Sequence, residues 1–457
     1  VAVLLASEAL VLCIFGWLAA SGRETLAIAV LLLPLQLLAW LLMGRSSFLL
    51  LLYFSTLLPL TSLEMMPSFY VFPFFYLGTA ILLILSRQRE TERSVSAPVS
   101  PERFWFILLG VTVFTAGVSA AIRGWGGPGL VRGSIRALTM LVYAWLFASL
   151  PTDHHQIERL ALAVVLGTAG TCMLLPLLPG AVGEATVLGG KVIQSPFAVI
   201  NLNALAAFLA GVAALALGLA VGAGGLARKA LIGTAILVLV AALLYTKSRG
   251  AWAGLGVALL YISWRSRSRG LLLVAILTLL ATLSLETFRV LLLKRVTETS
   301  TQDPSLLGRY LLWKYALLVS RDNWLFGVGM ENFRHVKQLY GFPWPGKYGL
   351  FFNAHSLYLE FLVGLGIPGV ASLLVLAGRT LRGLNRCARE FSAERRGLAL
   401  GLYAALLAQL VHGLFDALTW QHGAFTFLGV TLGLGLAFVR VSRSSLAPEV
   451  LADRRAC

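Results

Sequence analysis

Asn353-Ala354-His355-Ser356-Leu357-Tyr358-Leu359-Glu360, running on to Gly364-Leu365-Gly366-Ile367-Pro368-Gly369, is the stretch on which the chain turns. Its histidine stands just before an apolar run long enough to span a membrane. Upstream, from about residue 289 to 355, lies the longest part of the chain that does not read as membrane. His355 is therefore expected where an extramembrane segment re-enters the bilayer, the depth at which lipid-borne substrates present their head groups. A neutral imidazole can take a proton near neutral pH. A lone histidine at such an interface is as readily a helix anchor, since polar residues at span ends are ordinary.

Composition decides the class. Of 457 residues, 58% are hydrophobic and 12% charged, with a mean hydropathy of +0.84. So little charge over this length excludes a soluble domain, and apolar runs of near 20 residues recur throughout. The runs are continuous and do not alternate, which excludes a β-barrel. The pattern predicts an all-α, polytopic transmembrane bundle forming one integral membrane domain over residues 1–457. Within it, 289–355 is expected to be the one longer extramembrane segment, with short helices, on the side opposite the basic loops. The net charge of +17 is confined to short loops between spans, which fits topology and anionic membrane lipids and not nucleic acid. Cys13, Cys172, Cys387 and Cys457 are far apart. They suggest neither a disulfide framework nor a zinc site.

About fourteen apolar runs are long enough, wholly or nearly, to cross ~30 Å of hydrocarbon. They cover roughly 1–20, 26–43, 47–62, 69–85, 104–122, 135–150, 160–179, 197–221, 231–246, 250–264, 271–288, 356–377, 398–418 and 423–440. The first is read as a span and not as a cleaved signal. Arg87, Arg89, Arg93, Arg103, Arg228, Lys229, Arg265, Arg267, Arg269 and the basic run 379–396 then share one side, cytoplasmic by the positive-inside rule. Asp153-His154-His155 falls on that side as a solvated loop.

Other cations fall on the opposite side: Arg123, Arg132, Arg136, Lys191, Arg249, Arg289, Arg295, Arg309 and Lys314. Topology does not require them, and guanidinium forks suit phosphate oxygens. Each is equally open to snorkelling or to pairing with Glu298, Asp303 or Glu331. Arg249 is the sharpest, because Thr246-Lys247-Ser248-Arg249-Gly250 leaves almost no loop and predicts a tight turn at Gly250. Arg309 opens an amphipathic stretch, with Tyr310, Trp313 and Leu317 on one face, that reads as a helix lying on the membrane. His412 and Asp416 stand four apart on what reads as one helix. That spacing suits support of a catalytic group better than a metal, since no third ligand is evident. No metal site is expected.

These residues together resemble the superfamily of O-antigen ligases and polymerases. His355-Ser356, nine residues, then Gly366-x-x-Gly369 is similar to its histidine signature. Ser248-Arg249-Gly250, Arg309 through Trp313, Gly327-Val328-Gly329 with Phe333, and His412-Gly413-Leu414-Phe415-Asp416 follow in the family's order. The likeness covers about residues 190–440. The span count departs from it, since ligases of the family have twelve. The resemblance implies a metal-independent, inverting glycosyltransferase that needs no cofactor, in the bacterial inner membrane with its active site facing the periplasm. It implies a donor glycan on undecaprenyl diphosphate and an acceptor hydroxyl on lipid A–core. It makes His355 the catalytic residue and Arg249 and Arg309 the diphosphate ligands. Arg132, Arg136, Lys191, Lys314, His412 and Asp416 are the candidates for support. A polysaccharide polymerase using a second lipid-linked glycan is the alternative within the same chemistry. A ligase of glycans to protein hydroxyls and a transporter of lipid-linked sugars are more remote ones.

Overall fold

The computed structural model describes residues 46–58, 101–174, 184–187, 190–194, 199–246, 248–280, 304–343, 353–420 and 422–453. The expected spans 1–20, 26–43 and 69–85 lie outside these residues. Thirteen helices are described: α1 (Ser47–Leu57), α2 (Pro101–Ile122), α3 (Pro128–Ser149), α4 (His154–Leu174), α5 (Leu202–Gly222), α6 (Leu226–Thr246), α7 (Arg249–Ser266), α8 (Arg269–Leu280), α9 (Pro304–Asp322), α10 (Phe333–Leu339), α11 (Leu357–Glu390), α12 (Ala393–His412) and α13 (His422–Asp453). Six of them, α2, α3, α5, α6, α11 and α13, are long and apolar enough to cross a membrane. The chain is an all-α, multi-pass helical bundle. A small antiparallel meander, β1 (Glu184–Val187), β2 (Gly190–Gln194) and β3 (Val199–Asn201), precedes α5. It was not foreseen: the apolar pattern continues through β3 into α5, and periodicity does not separate a short strand from a helix start.

The centre of the bundle is α5. It is built almost wholly of Ala, Gly and Leu, and sixteen of its side chains or glycines are buried. Small residues let backbones meet, which is how helices associate where lipid removes the hydrophobic drive. The crossing with α12 shows it: a Cβ on Gly218 would stand 2.1 Å from Cα of Gly401. Helices α6 and α7 pack on α5, and α13 packs along α3. On α2, Phe104, Ile107, Val111, Phe114, Val118 and Ile122 are exposed at steps of three and four. That single apolar stripe faces outward, as lipid contact requires.

Several boundaries differ from expectation. α3 begins at Pro128, ahead of its apolar run, because proline at the first helical position costs no hydrogen bond. α11 runs on through Arg379, Arg382, Arg386 and Arg389, so most of the expected basic loop is helix. His154 does not lie in a solvated loop. It opens α4, and its ring packs 4.9 Å from the Phe438 ring and 5.9 Å from that of Phe391. α12 ends at His412, well short of residue 418, with consequences for the site.

Between α8 and α11 the described parts of the long polar segment are α9, the turn that follows it, and α10. They carry a core of their own: Leu312, Ala316, Val319, Val328, Phe333, Val336, Phe342 and Ala354 close on Val363 of α11. The join to α11 is made by backbone. Gly366 interrupts the helix at φ 70°, and Pro368 has no N–H to give. The carbonyls of Val363 and Gly364 are thereby released. They accept from the N–H groups of Val328 and Gly329, both at 2.9 Å, while the Ile367 N–H turns to the Trp324 carbonyl at 2.8 Å. Gly327-Val328-Gly329 and Gly364-x-Gly366 are therefore two halves of one joint. A Cβ on Gly327 would lie 2.3 Å from the Gly364 carbonyl oxygen.

Candidate active site

His355 stands two residues before α11 in left-handed backbone, φ 43°. Its own N–H donates to Asn353 Oδ1 at 2.9 Å. The start of α11 is clamped to the end of α12: the Leu357 N–H donates to the Gly413 carbonyl at 2.7 Å, and the Tyr358 hydroxyl donates to the Leu410 carbonyl at 2.9 Å. This clamp sets the His355 ring, about a quarter exposed, against Asp416, with Nδ1 3.1 Å from Oδ1. Asp416 is not on α12, contrary to its helical spacing. It sits in the turn after it, where Gly413 has already ended the helix. Its Oδ1 also accepts from the Ala417 N–H at 2.8 Å. Burial alone would raise this carboxyl, but His355, His412 and Arg309 around it hold it down to about 2.

A carboxylate can only accept, so Nδ1 carries the proton in that contact and Nε2 is left with its lone pair. His412, buried at the end of α12, is near enough for its charge to bear on Asp416, and it packs on α7. A Cβ on Gly250 would come 3.1 Å from His412 Nδ1. Gly250 thus lets α7 lie close against His412. The connection between α6 and α7 is as short as expected, but Gly250 is not part of it: it lies inside α7, behind the extended Ser248 that precedes the helix. Arg249 is the first residue of α7 and is exposed. Arg309, half-buried on the second turn of α9, is near enough for its charge to bear on both Asp416 and His412. Gly250, Arg309, His355, His412 and Asp416, on elements distant in the chain, thereby converge, with Arg249 next to Gly250 at the start of α7.

Four other candidates stand elsewhere. Arg136 is buried and committed to Glu331 at 2.6 Å, with a second bond from its guanidinium to the Thr419 carbonyl at 3.2 Å. Arg132 approaches the same carboxylate at 3.9 Å, and Arg334 binds it at 2.8 Å. Arg132 and Arg136 therefore belong to a buried structural cluster, the pairing that their sequence left open. Lys314 is an exposed residue of α9, and Lys191 lies on β2. Among the described residues, no three His, Cys, Asp or Glu side chains group as a metal site would need. Sequence reasoning named Glu331 only as one of three possible partners for such cations as Arg132 and Arg136 and gave Glu360 no role, since a lone acid in an apolar context carries no signal of what it will meet.

The bundle thus sets a histidine–carboxylate pair, with arginine charge near it, at the start of a long apolar helix. Residues 233–374 match the family model described as O-Antigen ligase. The match covers under half of the chain and makes that segment similar to the family of O-antigen ligases and polymerases. The match includes Arg249, Arg309 and His355 and ends before His412 and Asp416. No curated protein matches the chain.

Proposed function

We propose that the protein moves a glycan from undecaprenyl diphosphate to a sugar hydroxyl of lipid A–core, at the periplasmic face of the bacterial inner membrane. The observation that carries this is the His355–Asp416 pair beside Arg309, at the mouth of a membrane-spanning helix. His355 Nε2 takes the proton of the acceptor hydroxyl as its oxygen attacks the anomeric carbon. The new carbon–oxygen bond forms as the bond to the diphosphate breaks, and the anomeric centre inverts. The proton stays on His355, now an imidazolium paired with Asp416, and undecaprenyl diphosphate leaves with its charge. Asp416 fixes the tautomer and stabilises that imidazolium. Arg249 and Arg309 hold the diphosphate and offset the charge that grows on it, work that a divalent ion does in other transferases. We read the transfer as metal-independent because these cations supply that stabilisation.

The test uses purified protein with a lipid-linked donor and a lipid A–core acceptor, following product by mass. His355→Ala should reduce turnover at least ~100-fold without loss of folded protein. Arg249→Lys and Arg309→Lys should each fall well short of wild type, because lysine keeps charge but not the paired geometry. Near-normal turnover in His355→Ala would remove the general base. Extension of the donor glycan by a second lipid-linked glycan, with lipid A–core untouched, would make the enzyme a polymerase.

A further inference from the structure

Left-handed backbone at a non-glycine residue costs about 1–3 kcal/mol and persists only where its surroundings over-determine it. His355 is such a residue. Asn353 supplies one restraint, through the His355 N–H. The other comes from further along the chain: Glu360 Oε2 accepts from the Ala354 N–H at 2.9 Å. Glu360 is on the first turn of α11 and entirely buried. Ser356 already occupies the position that caps α11. The N–H that Glu360 holds lies two residues earlier, outside the helix. The bond therefore secures the turn carrying His355 and not the helix end.

A buried carboxylate is costly unless it is hydrogen-bonded and its charge is compensated. One oxygen of Glu360, Oε1, is buried without a hydrogen-bond partner. Basic side chains of the preceding segment lie near it. Lys337 of α10 is fully buried, its Nζ lying 5.2 Å and 5.0 Å from the ring centroids of Phe333 and Phe342. Lys337 and Arg334 both act on Glu360, with Glu331 opposing them. An amide or a hydroxyl would have bonded the Ala354 N–H without that burden. The carboxyl that holds the turn carrying His355 thus lies beside α10.

We propose that Glu360 is a positioning residue, holding the Asn353–His355 turn in the conformation that sets the His355 ring against Asp416. It rests on the reading of His355 as the base. Two readouts test it: turnover with donor KM, and the rate at which diethyl pyrocarbonate modifies His355, followed by mass spectrometry without any substrate. Glu360→Leu should lower kcat roughly tenfold or more with donor KM within about twofold, because orientation and not binding is lost. His355 should be carbethoxylated several-fold faster in it, as the ring leaves Asp416. Glu360→Gln keeps an acceptor for the Ala354 N–H and should restore most of both. If Glu360→Leu does not fold, Glu360→Asp, which keeps the charge but withdraws it from Ala354, should show the same loss. Wild-type kcat and wild-type labelling in Glu360→Leu or Glu360→Asp would overturn the proposal, as would lost kcat with a parallel rise in KM and unchanged labelling. Should His355→Ala retain turnover, the base assignment fails, while the labelling rates still decide what Glu360 does.

Discussion

At the residue scale, the His355–Asp416 pair separates orientation from charge. Asp416→Asn preserves shape, but its amide can donate to Nδ1 and so favour the tautomer with the proton on Nε2, which has no lone pair to take one. We expect turnover to fall by about 10²–10⁴ in Asp416→Asn, with the protein folded and donor binding intact. Equal turnover in the two proteins, measured at saturating donor and acceptor, would reduce Asp416 to a packing residue. Lys337 makes a prediction about pH. Burial holds its ammonium at about 7, from an ordinary 10.5. Between these values the unfolded chain binds the extra proton, so stability rises as pH rises from 7 to 10.5 and is flat in this respect below 7. Melting temperatures across pH 7 to 10 should show that slope in the wild type and a shallower one in Lys337→Met.

Two joints carry the argument at the scale of elements. The first is the exchange of hydrogen bonds between the 324–329 turn and the break in α11. A Cβ at Gly366 would lie 2.6 Å from the carbonyl oxygens of both Trp324 and Leu325, on a backbone at φ 70°. Strain and clash together should make Gly366→Ala lose roughly 3 kcal/mol, seen as a lower melting temperature. Gly378→Ala, on the same helix with open space around it, is the control. The second joint is Glu331, which ties α3 to the turn before α10 through Arg136 and Arg334. Glu331→Gln leaves Arg136 buried without its counter-charge and should cost about 3–5 kcal/mol. Arg379→Gln, at the exposed pair with Glu102, should cost under about 1 kcal/mol. A Glu331→Gln protein as stable as wild type would return Arg132 and Arg136 to the list of ligand-binding candidates.

For the molecule as a whole, continuous apolar runs with charge confined between them left no choice but a helical membrane bundle. That reading needed no contact information, because a hydrophobic span is decided by the solvent around it and not by its partners. The place of His355 was legible for the same reason: a polar residue at the edge of an apolar run marks an interface wherever the run packs. Arg249 and Arg309 stood out in the sequence as cations that its expected topology does not require. What the chain could not disclose alone was which charges meet. The spacing of His412 and Asp416 reads as one helix face, yet Gly413 ends the helix between them, and a turn sends Asp416 to His355. Arg132 and Arg136 carry the same sequence signal as Arg309, and only Glu331, nearly 200 residues on, withdraws them from the site. Glu360 and Lys337 acquire meaning only when α10 docks on α11. Local periodicity records burial, and it does so residue by residue. Pairing depends on which distant backbone is brought within about 3 Å, and that is decided by packing across the whole bundle.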